Sequence, residues 1–167
     1  YILPNNKNII LAAQQAKELV TDRELVIIPT VTIPQGITAL INYLYDEPVE
    51  KNVKVMTEEI GRIRSGQVTY AVRDTILDGR EIHQGDYMGI ADGVIESITR
   101  EPEAAVRELV EHMLQKGGDI LSVYYGEGVK EETAASLLSE LEAEYPKLDV
   151  QMLSGGQPVY SYLLSVE

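Results

Sequence analysis

Four apolar residues, Leu25-Val26-Ile27-Ile28, run without a polar interruption into Pro29-Thr30-Val31-Thr32-Ile33-Pro34-Gln35-Gly36. Such a run lacks the alternation of a half-exposed strand. It predicts a strand covered on both faces, as in a parallel sheet. Partners and ligands of parallel sheets meet the loop at a strand's C-terminal end, which here is residues 29–36. An apolar helix is expected after it, over residues 36–45. The rest of the chain is read around this strand and loop.

Upstream, Tyr1-Ile2-Leu3 reads as a strand end and Pro4-Asn5-Asn6-Lys7-Asn8 as a polar turn with an asparagine cap. Ile9, Leu11, Ala12, Ala16, Leu19 and Val20 put apolar groups on one broad face of a helix. A strand at residues 25–28 then completes a parallel, right-handed β-loop-α-β unit. Pro48 opens another helix, whose buried stripe is Val49, Val53, Met56, Ile60 and Ile63. Arg64-Ser65-Gly66 is read as its end and as the junction between two subdomains, 1–66 and 67–167.

The pattern then changes. Gln67-Val68-Thr69-Tyr70-Ala71-Val72-Arg73 alternates, and Asp78-Gly79 and Asp92-Gly93 are hairpin signals. Antiparallel structure is expected through about residue 98. A helix opened by Pro102 carries Ala105, Val106, Leu109, Val110, Met113 and Leu114, and Lys116-Gly117-Gly118 stops it. A strand at 120–125, a helix at 130–145 and a strand at 148–153 form a second β-loop-α-β unit. Residues 159–166 are apolar enough to be a closing strand. The fold class expected is α/β, with two small subdomains that each hold a β-loop-α-β unit and a mixed sheet.

Composition narrows the function. The chain has no cysteine, so disulfides, thiolate metal sites and cysteine nucleophiles are excluded. The net charge of −13 is concentrated: residues 1–66 carry −1 and residues 67–167 carry −12. A nucleic-acid partner, which needs a basic face, is not expected. The acidic half is either a solvated surface or the face shown to a basic partner. No apolar run approaches the ~20 residues of a transmembrane segment, and no basic leader is present. The opening at Tyr1 rather than Met suggests a piece of a longer polypeptide, and the absence of cysteine suits a cytoplasmic one.

Motifs for catalysis are sparse. Gly126-Glu127-Gly128 lies between a strand and a helix, but position 131, where a dinucleotide loop needs its third glycine, is Glu131. His83 and His112 have no zinc-ligand spacing, and no nucleophile elbow follows a strand. Glu132, Glu140, Glu142 and Glu144 make the outer face of the 130–145 helix acidic. Asn5, Asn6 and Asn8 would share a rim with Thr30, Thr32 and Gln35 if the first two strands are adjacent and parallel. The alternative for these residues is caps and turn bonds. Arg73 and Asp74, at a strand end, and Gln157, in a Gly-rich loop, are the candidate contact residues of the second half. No metal-binding, cofactor-binding or catalytic residue is assigned.

Four stretches, in order, resemble one family: Leu3-Pro4-Asn5-Asn6-Lys7-Asn8; Ile28-Pro29-Thr30-Val31-Thr32-Ile33-Pro34-Gln35-Gly36; Val68-Thr69-Tyr70-Ala71-Val72-Arg73-Asp74-Thr75; and Gly155-Gly156-Gln157-Pro158 with Tyr160. They are similar to the C-terminal domain of bacterial fatty acid kinase A subunits, the dihydroxyacetone-kinase-like YloV family. The resemblance implies a DegV-like fold and a parent whose absent N-terminal domain binds ATP and magnesium and whose middle domain carries the catalytic residues. It implies two partners. One is the rest of the kinase subunit. The other is a DegV-type fatty-acid-binding protein that presents the acyl chain for phosphorylation in phospholipid synthesis. Such carriers have a His-Thr-Gly-Pro-Gly run where this chain has Ser154-Gly155-Gly156-Gln157-Pro158, so acyl-carboxylate recognition is not carried over. The expected role is a non-catalytic docking domain. The alternatives are a module that holds an acyl chain between the halves and a self-contained enzyme.

Overall fold

A computed structural model describes residues 1–77 and 79–167. The chain forms two compact units, Tyr1–Ile63 and Arg64–Glu167.

The first unit holds three helices, α1 (Lys7–Leu19), α2 (Ile33–Ile41) and α3 (Val49–Ile60). Asn6 caps α1 by accepting the Asn8 amide at 2.8 Å. Pro48 leads into α3. The core is Val26, Ile28, Ala39, Met56 and Ile60, with Leu3, Val49 and Val53 packed against it. The expected strands at 1–3 and 25–28 are indeed parallel, but among the described residues they meet in one bridge, Ile2 to Ile27. Ile2 N–H donates to Val26 C=O and Ile28 N–H to Ile2 C=O. The mixed sheet expected in this unit is therefore reduced to that bridge.

Two expectations for this unit need correction. Helix α2 begins at Ile33 rather than Gly36, because Thr32 caps it and Pro34 fits its first turn. The apolar face expected on α1 is not a buried one. Ala13 is buried, whereas Ile9, Leu11 and Leu19 are exposed, Leu19 at 83%. A single bridge offers no sheet surface for that face to cover.

The second unit is a six-stranded mixed sheet with two helices. Its elements are β1 (Arg64–Tyr70), β2 (Thr75–Leu77), β3 (Arg80–Ile82), β4 (Tyr87–Ala91), β5 (Val94–Thr99), α4 (Pro102–Leu114), β6 (Ile120–Tyr125), α5 (Glu131–Glu144), β7 (Asp149–Ser154) and β8 (Tyr160–Val166). The large sheet runs β5-β4-β1-β8-β6-β7, and β2-β3 is a separate hairpin. Within the large sheet β6 and β7 pair in parallel, joined by the α5 crossover, and the other described pairs are antiparallel. Asp92 and Gly93 both have positive φ, 48° and 88°, as a two-residue hairpin turn requires. Of the other expected hairpin turn, Asp78 lies outside the described residues.

Arg64-Ser65-Gly66, expected to end a helix, opens β1 instead. A Cβ at Gly66 would stand 2.8 Å from Met113 Sδ and 2.9 Å from Leu109 Cδ2, so this glycine marks where α4 closes on the sheet. Val106, Leu109 and Val110 of α4 and Leu137 and Leu141 of α5 share one core with Val68, Leu121, Val123, Tyr162 and Leu164. Strand β8 is buried at five successive positions, as a strand covered on both faces should be. Among the described residues no helix is long and apolar enough to cross a membrane.

Candidate functional site

In the first unit the loop before α2 is tied down by its own polar groups. Thr30 is fully buried, and its hydroxyl donates to the Pro4 carbonyl. Thr32 Oγ1 accepts the Gln35 amide at 3.2 Å, and Gln35 Oε1 accepts the Val31 amide at 2.8 Å. Thr32 thus caps α2, and Gln35, three residues on, reaches back past the cap to the preceding amide, a variant of the Thr-x-x-Gln capping pattern. The asparagine turn and this loop do come together, through Pro4 and Thr30. Thr30 itself cannot be a contact residue at a rim, because its hydroxyl is spent inside. Asn5 and Asn8 remain exposed, and Asn6 is occupied as a cap.

Sequence reasoning missed Asn52. This fully buried side chain accepts the Leu44 amide at 2.7 Å and donates to the carbonyls of Leu44 and Glu47 at 2.9 and 3.1 Å. It pins the turn between α2 and α3. The signal available was an asparagine on the same face as Met56.

In the second unit Arg73 is exposed, and Asp74 accepts the Gln84 amide at 2.7 Å. Asp74 thus closes the loop after β3, with its side chain still largely exposed. His83 stands 4.0 Å from Asp74, and His112 of α4 lies 3.3 Å from Glu96 of β5. Asp86, also missed, is buried; it accepts the His83 amide at 2.8 Å and pairs with Arg100 at 2.7 Å. Among the described residues no group of three His, Asp or Glu is placed to hold a metal ion.

A cavity of about 570 Å³ lies in this unit. The start of α4 contributes Pro102 and Glu103, the β6–α5 loop Glu127 and Lys130, the ends of β1 and β4 Tyr70 and Tyr87, and the entry to β8 Val159 and Tyr160. Gln157 also lines it, but its amide donates to the Tyr124 and Tyr160 carbonyls at 2.9 and 3.3 Å, so it holds the loop together. Gly126 is not part of a phosphate cradle. A Cβ there would lie 2.3 Å from Tyr160 O and 2.7 Å from Gln157 O, so the glycine permits a close approach of two backbones.

Behind the cavity, Tyr162 is fully buried and donates to Glu103 Oε1 at 2.7 Å. Burial, and then the bond to Glu103, push its phenol far above the usual tyrosine range, which keeps it a neutral donor. Val159 has φ of 71°, a region that a β-branched residue rarely enters, and the Tyr160 amide donates to the Pro158 carbonyl across it at 2.8 Å. Beside this γ-turn the β1–β8 register shifts between Val68 and Thr69. Aromatic rings, two carboxylates and one amine therefore converge around a strained turn.

Comparisons place the fold and the family. The family model for the C-terminal region of fatty acid kinase A-like subunits matches residues 1–167. An uncharacterized protein of Staphylococcus aureus (strain USA300) is 42% identical over 166 residues, covering 99% of this chain and 30% of that protein. Protein YloV of Bacillus subtilis (strain 168) is 40% identical over 167 residues, covering 100% of this chain and 30% of YloV. The chain thus spans less than a third of these relatives. In fold it is similar to a DegV family protein from Thermus thermophilus studied for fatty acid binding, with a TM-score of 0.54 and 11% identity over 95% of this chain and 66% of that one. It is also similar to the dihydroxyacetone kinase of C. freundii in complex with AMP-PNP and Mg2+, with a TM-score of 0.58 and 16% identity over 95% of this chain and 36% of that one. At these identities the likeness is one of fold, and it agrees with the α/β, DegV-like expectation. With the family model matched along its whole length, the chain belongs to the family of C-terminal domains of fatty acid kinase A-like subunits.

Proposed function

We propose that this chain is a non-catalytic docking domain of a fatty acid kinase, and that it receives a DegV-type fatty-acid-binding protein through the acidic surface of its second unit. The observation that carries the reading is the charge asymmetry. Residues 64–167 hold eight Lys/Arg and nineteen Asp/Glu, a net of −11, while the first unit is close to neutral. A field of one sign over one unit raises encounter rates with a basic partner and rejects acidic ones. ATP and magnesium would be held by other parts of the parent protein, and the setting would be the cytoplasm.

The test is titration of the 167-residue chain with a DegV-type carrier from about 0.1 M to about 1 M salt, over which the Debye length falls from about 10 Å to about 3 Å. Association is expected to weaken steeply, mainly through a slower on-rate. Absence of binding at the low end, or an affinity independent of salt, would refute the reading.

A further inference from the structure

The cavity between the start of α4, the β6–α5 loop and the entry to β8 has no assigned occupant. We infer that it is an anchor pocket for one arginine side chain presented by the basic partner. The inference deepens the docking reading and rests on it for the partner's charge.

Size comes first. About 570 Å³ lies within the ~300–1,000 Å³ of pockets that take small ligands. It suits a long side chain with its adjoining backbone.

The lining then selects the chemistry. Tyr70, Tyr87 and Tyr160 supply aromatic surface, and Glu103 and Glu127 supply two carboxylates. Among the described lining residues Lys130 is the one cation, so the pocket keeps a net negative charge. An anion is disfavoured further by Glu131 and Glu132 in the first turn of α5, which already complement that helix end. Carboxylates beside aromatic rings favour a cation. A guanidinium uses both kinds of surface, because its planar fork pairs with a carboxylate and its face stacks on a ring. An ammonium, a compact and strongly hydrated charge, gains less from three rings.

The frame is fixed in advance. Tyr162 holds one oxygen of Glu103 from behind. Gly126 N–H donates to Ser161 C=O at 2.9 Å and Glu127 N–H to Gln157 C=O at 3.1 Å, which locks the loop carrying Glu127. Val159, 62% exposed on the cavity wall, is kept at positive φ by these surroundings. Backbone strain held in place by its neighbours concentrates at binding sites. Preorganisation of this kind lowers the ordering cost of binding, and buried arginines in such pockets commonly dominate interface energies.

The experiment has two arms on the 167-residue chain. The first follows backbone and tyrosine NMR signals during titration with Nα-acetyl-arginine amide, the neutral isostere Nα-acetyl-citrulline amide and Nα-acetyl-lysine amide. The arginine derivative is expected to shift Tyr70, Tyr87, Glu127 and Tyr160 at least about tenfold more tightly than citrulline, a difference of about 1.4 kcal/mol. Lysine is expected to fall between them. The second arm measures carrier affinity for Glu127→Lys and for Glu144→Lys, the same charge change at the exposed end of α5. Glu127→Lys is expected to lose at least tenfold more than Glu144→Lys. Equal losses, or no arginine response while the carrier still binds, would overturn the pocket and leave the docking reading standing. An arginine response without carrier binding upholds the pocket and removes only the carrier as its partner.

Discussion

The two glycines of Gly126-Glu127-Gly128 give the sharpest test of how this unit is built. In Gly126→Ala the new Cβ would stand 2.3 Å from Tyr160 O, where ordinary contact begins near 3.4 Å. The entry to β8 must therefore move by about 1 Å, and the atom in the way is backbone, which cannot rotate aside. That displacement opens the Gly126–Ser161 and Glu127–Gln157 hydrogen bonds, each worth about 1 kcal/mol net. Overpacking adds about 1–3 kcal/mol, and the stiffer unfolded chain returns about 0.4–1. The expected net loss is about 3 kcal/mol. For a unit of this size that lowers Tm by about 12–24 °C. A Cβ at Gly128 meets nothing within 4 Å, so Gly128→Ala should leave Tm unchanged or slightly raised. The assay is a calorimetric or circular dichroism melt of both variants beside the parent chain. A Gly126→Ala melt within a few degrees of the parent, or equal losses in the two variants, would refute the close-approach argument.

Asn52→Ala should cost about 2–3 kcal/mol, since it removes the side-chain hydrogen bonds that pin the α2–α3 turn; faster hydrogen exchange at the Leu44 amide would report it, and unchanged protection would contradict it. Val159→Gly should relieve about 1–2 kcal/mol of left-handed strain while adding about 0.5–1 kcal/mol of unfolded-state entropy. A melt raised by up to a few degrees is expected, and a drop would show that the Val159 side chain packs more than its exposure indicates. Tyr162 governs alkaline stability. Its folded pKa is raised, so its contribution is complete below the unfolded value near 10 and is lost as pH climbs beyond it. Urea titrations from pH 8 to pH 11 should show falling stability in the parent and a shallower fall in Tyr162→Phe, which has no phenol to ionise; equal slopes would count against this assignment.

What the sequence made legible was periodicity and punctuation. The stripes of α3 and α4, the Asp92-Gly93 turn and the parallel sense of the first β-loop-α-β unit could all be read because each is local or nearly so. Pairing beyond that was not. Nothing in residues 1–3 or 25–28 announces that they share one bridge rather than a sheet. The exposure of Leu11 and Leu19 follows from that missing surface, not from the helix's own pattern. The rim residues show the same limit. For Thr30, Thr32 and Gln35 the sequence leaves a rim and caps or turn bonds both open, and the bonds to Pro4, to Val31 and between Thr32 and Gln35 are of the second kind. Which partner each takes is not local enough to read. The Tyr162–Glu103 bond spans 59 positions and leaves no trace in either neighbourhood. The cavity was out of reach for the same reason, since its walls come from separated stretches.

The placement of β8 bears on how the second unit is made. The last of its strands to be synthesised lies between β1 and β6 and is hydrogen-bonded to both. Until it emerges, the β1-β4-β5 meander with α4 and the β6-α5-β7 crossover are two sheets, each with an open edge and no ladder between them. On a ribosome the unit must therefore wait for residues 160–166 before its core can close, since long-range pairing comes late and leaves strand edges uncovered in the meantime. A nascent chain stalled before residue 160 should be protease-sensitive throughout this unit. One released after residue 167 and a linker long enough to clear the exit tunnel should be resistant in a single step.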